Sequence, residues 1–297
     1  MEENEMSFKE FVKTVKELVA ERSGKEVRIN EVSKNNGVKY TGMMIITGSN
    51  IVPTIYLEQY WEMFNNGMKI PTIVDIILQS HAQAARENVV MDWFMDWESV
   101  KDKVAYKLIN YDNNKDLLDK IPYTKFLDLA KVYYVIYEDD NVGSGTILIH
   151  NSHMDMWRVT IDQIDAAADI NTPQKKPVWI RSMNDIVSEH GLEELLEDNE
   201  EVNFNFLVIT NKEKCLGAGT ICYKGVLHEI ANSLQRDLII IPSSIHECLL
   251  LKMKGDENLD NIKELVKEAN STSVQPEERL SDSVYIYRKQ TDKIELA

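Results

Sequence analysis

Basic residues, cysteines and long apolar runs are all scarce in this chain, and each scarcity removes a class of function. Lys and Arg number 33 against 49 Asp and Glu, leaving 297 residues with a net charge of −16. A surface this acidic repels phosphate backbones and anionic headgroups, so neither direct nucleic-acid binding nor membrane binding is expected. Only a local concentration of bases would reverse that, and the nearest to one is the pair Lys175-Lys176. The three cysteines, Cys215, Cys222 and Cys248, are odd in number and show no CxxC spacing. That argues against a disulfide framework and a thiolate zinc site, and it fits a reducing compartment. The opening MEENEMSFKE is acidic where a secretory signal begins basic. No stretch approaches the roughly 18 to 20 apolar residues that cross a bilayer. The expected setting is the cytoplasm.

What is present is the composition of a folding globular protein, 43% hydrophobic and 28% charged. Phe8, Phe11, Val12, Val15, Leu18 and Val19 recur on one helical face, Ser7 and Glu10 form a capping box, and Gly24 ends the run. Strands are predicted at 26–34 and 38–47 around Asn36-Gly37, a strong hairpin signal. Pro53 opens a helical region carrying Tyr56, Tyr60, Met63 and Phe64, and a second helix follows from Ile70. Val104 to Asn110 reads as a strand, Lys115 to Lys120 as a helical turn, and Phe126–Glu138 with Thr146–His150 as an antiparallel pair. Thr160 caps a helix that ends near Asn171-Thr172-Pro173. Ile180 to Asp198 is predicted helical and turns into the acidic run EELLEDNEE, a solvated face.

Asn205 to Met253 is the stretch around which the rest is organised. From it onward the pattern gives strand 203–210, helix 218–234, strands 237–242 and 245–252, helix 258–269 and strand 283–288. The order β-α-β-β-α-β is that of the ferredoxin-like sandwich, with helices covering one face of an antiparallel sheet. The predicted fold class is therefore α+β in two consecutive mixed units, 1–172 and 178–297. The proline-flanked segment TPQKKP, with 173–177 at its centre, is the expected linker.

Several phrases carry a family likeness: NNGV near 35, NIVPTIYLEQYWEMFNNG, IPYTKFLDLAKVYYV, VITNKEKCLGAGTICY, IPSSIHECLLL and PEERLSDSVYIY. Together they resemble a domain-of-unknown-function family of uncharacterised proteins from gut Clostridia and related Firmicutes, some encoded near mobile elements. The likeness runs from about Phe8 to Tyr287. It implies no activity and no catalytic residue.

The candidate chemistry must come from the residues themselves. Pro242-Ser243-Ser244-Ile245-His246-Glu247 offers two hydroxyls, an imidazole and a carboxylate, the parts of a nucleophile, base and orienting acid. Against that stands the alternation of a hairpin, which sends Glu247 to the face opposite Ser244 and His246, and the absence of a GxSxG elbow. Hydroxyls satisfying a turn are the plainer account. His150, His153 and Asp155, with His246 or His228 and Glu229, are too dispersed for the three or four convergent ligands a metal needs, and no metal or cofactor is expected. Gly217-Ala218-Gly219 lacks the third glycine of a dinucleotide loop and the GK[ST] of a P-loop, so close packing is its better reading. Trp93, Phe94 and Trp97 alternate with Asp92, Asp96 and Glu98, which suits packing better than stacking on bases.

The reading that follows is a cytoplasmic, non-enzymatic binding or regulatory protein, with a protein partner or self-association through sheet edges or the Trp93–Trp97 segment. The alternative is a hydrolase or transferase using Ser243, Ser244, His246 and Glu247, with Thr210 and Asn211 at a neighbouring strand end. A third reading, from the −16 charge, is an acidic nucleic-acid mimic.

Overall fold

The protein is described by a computed structural model covering residues 6–48, 52–84, 92–139, 143–189 and 206–297. The predicted acidic run after Glu189, and the start of the strand predicted from 203, lie outside the described residues. Two compact units divide the chain, Met1–Met91 with Glu138–Gly143, and Asp92–Tyr137 with Ser144–Ala297.

In the first unit, α1 (Phe8–Ser23) starts where Ser7 Oγ accepts from Glu10 N and Glu10 Oε2 accepts from Ser7 N at 2.9 Å, and it ends on left-handed Gly24. Its stripe Phe11, Val15 and Val19 is fully buried. Strands β1 (Val27–Ser33) and β2 (Lys39–Ile45) pair antiparallel across Asn36 and Gly37, both at positive φ. The helix expected from Pro53 is preceded by a strand, because β3 (Thr54–Tyr56) is β-branched and aromatic and adds to Gly42–Met44 of β2. Helices α2 (Glu58–Asn65) and α3 (Ile70–Ala84) follow, and Leu57, Ile73 and Ile77 meet Met43 and Ile45 in one core.

The second unit begins with α4 (Trp97–Val100), β4 (Val104–Asn110), α5 (Lys115–Leu118), β5 (Tyr123–Phe126), β6 (Leu129–Asp139) and β7 (Gly143–Leu148). Next come α6 (Asn151–Trp157), α7 (Ile161–Lys175), β8 (Val178–Ser182), α8 (Met183–Glu189) and β9 (Phe206–Asn211). After a 3-10 segment, Gly217–Cys222, the chain forms α9 (Val226–Leu234), β10 (Leu238–Ile241), β11 (Cys248–Lys252), α10 (Leu259–Ser273), β12 (Tyr285–Arg288) and β13 (Lys293–Leu296). One sheet has the order β4-β6-β5 with β7 also on β6, and the other β13-β12-β10-β11-β9-β8, antiparallel throughout.

The α+β class and the order β-α-β-β-α-β are thus present. Two features differ from a ferredoxin-like sandwich. The hairpin β10–β11 is the central pair of its sheet, and the helices lie on opposite faces. Leu238 and Ile240 pack with Leu227 and Ala231 of α9, whereas Ile239 packs with Val266 of α10. A strand that reads LIII is apolar on both sides and must be covered on both. Leu108 of β4 and Leu129 of β6 join the α9 side, so the smaller sheet closes that core.

The segment expected as a linker is the last turn of α7 and its lead into β8. Asn171 Nδ2 donates to Lys101 O and Val104 O at 2.8 and 3.0 Å, and Thr172 Oγ1 accepts from Tyr106 N. These bonds hold α7 on β4 despite Pro173. Ile180, read as helical, is instead in β8, where Val178–Ser182 pairs with Leu207–Asn211 of β9.

Candidate functional site

The ends of β5, β12 and β13 and the start of α9 enclose a cleft of about 510 Å3. Phe126, Ile221, Leu227 and Ile294 give it apolar walls, and Lys125, Lys224 and Lys293 stand among its lining residues. On one side is Lys131, only 8% exposed, whose ammonium lies 2.5 Å from Asp165 Oδ1 and 2.7 Å from Asp169 Oδ1 and sits over the Tyr106 ring. Burial alone would lower its pKa; the two carboxylates outweigh that, and the pKa lies above the ordinary lysine value. Lys131 is therefore a fixed cation and not a neutral amine base. Tyr133 OH donates to Asp165 at 2.7 Å and bonds Thr124 Oγ1 at 2.6 Å, so the charge cluster is anchored to β5 and β6. Cys222 contributes a thiol whose sulfur is enclosed although the residue keeps partial exposure, and burial pushes its pKa up to about 12. On the other side Tyr287 OH donates to Asp292 Oδ1 at 2.6 Å and lies 3.4 Å from His228 Nδ1.

The turn Pro242–Glu247 is built differently. His246 Nδ1 accepts from Leu216 N at 3.2 Å, which places its proton on Nε2, 3.4 Å from Glu278 Oε1. The lone pair a general base requires is therefore engaged. Ser244 Oγ, in a residue 8% exposed, accepts from His246 N at 3.1 Å, and Ser243 O accepts from Leu280 N. Asn211, also buried, turns its side chain onto Cys215 O, Cys215 N and Glu213 N, while Thr210 Oγ1 donates to His246 O at 2.6 Å. Glu247 is half-buried beyond His246. The structure brings Thr210, Asn211 and His246 together, but around backbone groups. Gly217 explains why no side chain fits there: an added Cβ would lie 2.6 Å from Asn211 N and 2.7 Å from His246 O. Gly217 N and Ala218 N donate to His246 O and Ile245 O, so these two amides are not free to hold a phosphate.

A family model, a family of unknown function (DUF5688), matches residues 8–289. The chain belongs to that family. Comparison with curated proteins and with solved structures found no match. DUF5688 brings no assigned activity, so the weight rests on geometry.

In this DUF5688 member the aromatic segment is folded inward. Phe94 is buried against Trp157, whose Nε1 donates to Phe94 O at 2.7 Å; Trp97 also packs on Trp157. Trp93 stacks on Tyr137 beneath Lys103 Nζ. Trp93 and Trp97 are half-buried, and Met95, 61% exposed, is the segment's exposed apolar side chain. His150 N donates to His153 Nδ1, and burial followed by the neighbouring His150 lowers the His153 pKa. Among the described residues no group of three or more His, Cys, Asp and Glu is arranged to hold a metal ion. No helix among them is long and apolar enough to cross a membrane. Among the described residues several surface carboxylates pair with bases, as in Lys39–Glu31, Lys101–Glu98 and Lys115–Asp112.

The cleft is absent from the sequence reading. Thr124, Lys131, Asp169, Cys222, His228 and Asp292 are scattered over the chain, and no local spacing joins them. The one signal available was Lys131 itself, a charge between apolar neighbours in a strand buried on both faces.

Proposed function

We propose that the protein is a non-enzymatic binding protein of the cytoplasm that takes a small amphipathic carboxylate into the Lys131 cleft. What carries this reading is the cleft's composition, apolar walls beside the exposed lysines Lys125, Lys224 and Lys293, with Lys131 held by its two aspartates as part of the wall. Pockets of several hundred Å3 with this balance suit small organic ligands, the apolar body supplying affinity and the charged groups orientation. The three free thiols support a reducing setting. The engaged imidazole of His246 and hydroxyl of Ser244 support binding over hydrolysis or group transfer.

A thermal-shift screen against short aliphatic and aromatic carboxylates tests the proposal, because a ligand that binds only the folded state raises its apparent stability. At least one member should raise the midpoint by several degrees, and Ile294→Trp, which fills the cleft from the partly exposed edge strand, should abolish the rise. A flat screen, or a rise that survives Ile294→Trp, rejects the cleft as the site.

A further inference from the structure

A second concavity, of about 680 Å3, opens along the C-terminal half of α9. Three distant segments build it: Gln235, Arg236 and Asp237 after α9, Met253, Lys254 and Gly255 after β11, and Arg288, Lys289 and Gln290 at the β12–β13 turn. Arg236, Lys254, Arg288 and Lys289 face a single lining carboxylate, Asp237. In a chain where acids outnumber bases 49 to 33, this is a local reversal of sign.

One of the four cations is accounted for by the fold. Arg288 donates from Nε to Glu295 at 2.6 Å and from Nη1 to Asp237 at 3.2 Å. Asp237 also accepts from Lys289 N at 2.9 Å, which fixes the start of the β12–β13 turn. The other three are not so engaged. Lys289 Nζ donates to the neutral amide oxygen of Gln235 at 3.2 Å, so its charge has no counter-ion there. The exposed side chains of Arg236 and Lys254 have no hydrogen bond or ion pair among the described residues. Glu257 accepts from the backbone N–H groups of Lys254 and Gly255, and its carboxylate offsets part of the Lys254 charge. A helix C-terminus attracts cations, yet the carbonyls of Ala231 and Asn232 at the end of α9 are already capped by Arg236 N and Gln235 N.

We infer that this basin is an anion site for a phosphate ester or pyrophosphate group. Donors that converge from three segments onto one concavity match the several oxygens of such a group, and four lining cations against one lining carboxylate match its multiple charge. No Phe, Tyr or Trp lines the basin, and its one ring is the His228 imidazole, 3.4 Å from Tyr287 OH; a single imidazole is a poor platform for successive bases, which favours a small phosphorylated compound over a nucleic-acid strand. The basin shares His228 alone with the lining of the Lys131 cleft, and the inference does not rest on that cleft binding a carboxylate.

Calorimetric titration of the full chain with pyrophosphate tests it. Binding should weaken about tenfold or more in Arg236→Glu/Lys254→Glu and weaken as salt is raised, as screened charge pairs require. The milder Arg236→Gln/Lys254→Gln should lose part of the affinity. Because both side chains are exposed, either double variant should melt no lower than the wild type, and Ile294→Trp should bind pyrophosphate normally. Absence of binding by the wild type, or equal binding by the Glu variant, overturns the proposal. Binding of a single-stranded oligonucleotide without binding of pyrophosphate overturns it in favour of a nucleic-acid surface.

Discussion

The hairpin turn Pro242–Glu247 and the basin at the end of α9 are both rich in polar side chains, and they differ in what those side chains are bonded to. In the turn, the Ser244 hydroxyl, the His246 ring and the Thr210 and Asn211 side chains each hold a named backbone group. In the basin, the Arg236 and Lys254 side chains hold none among the described residues. Residues adjacent in sequence suggested chemistry and turned out to organise a backbone. Residues far apart, which suggested nothing, converge with cations in excess of the lining carboxylate. A polar group engaged by the fold contributes to stability, and one left unengaged by the fold is available to a ligand.

The comparison breaks most sharply at Gly217. Its amide donates to His246 O and its missing side chain lets β9 and the turn close together. Gly217→Ala forces a methyl against backbone atoms that have no room to yield. Overpacking of this kind costs about 3 kcal/mol at the upper end of its usual range. Chemical denaturation should show that loss. A change below about 1 kcal/mol would mean that the junction is looser than described and that its side chains are not committed to holding it.

The Lys131 cleft stands between the two extremes, since its cation is both engaged and exposed to a cavity. Lys131→Met should cost about 2 kcal/mol, less than the loss for a fully enclosed pair, because the Asp169 side chain is 54% exposed and regains water. The pH dependence has a definite sign. The folded pKa of Lys131 is raised, so its stabilisation is fully present below the unfolded lysine value of about 10.4 and is lost as pH rises through the folded value. The gap between wild type and variant should therefore be complete at neutral pH and narrow in strong alkali. A gap that widens with alkali would remove the ion-pair account.

The parts of this fold that could be read from sequence are those set by neighbours along the chain. Ser7 with Glu10, Thr160 at the start of α7 and Asn36 with Gly37 act within a few residues, and each cap or turn is present. Leu238–Ile241 was legible as a strand because its residues are β-branched or apolar. That it is covered on both faces depends on where α9 and α10 return, which is not a local property. Thr172-Pro173 looked like a helix end because proline removes a donor, and the bonds that keep α7 intact come from β4, dozens of residues earlier. The candidate sites show the same limit. A search for basic runs stops at Lys175-Lys176, whereas the basin gathers single cations at 236, 254 and 289 from three connections.

The smallest expected effect is the most informative for the basin. Arg236→Gln and Lys254→Gln should each change folding stability by less than about 0.5 kcal/mol, the range of surface substitutions that remove no cap, core contact or network. If the cations were there to steady the end of α9, neutralising Arg236 would cost several tenths of a kcal/mol at low salt, and the cost would fade as salt screens the helix terminus. If they repel one another across an empty basin, each neutralisation would instead be slightly stabilising at low salt, since like charges held together oppose folding. Denaturation midpoints at two salt concentrations separate these outcomes. A small stabilisation that vanishes with salt, together with weakened pyrophosphate binding, is the signature of charges positioned for a ligand, and a salt-sensitive destabilisation would return Arg236 to the fold.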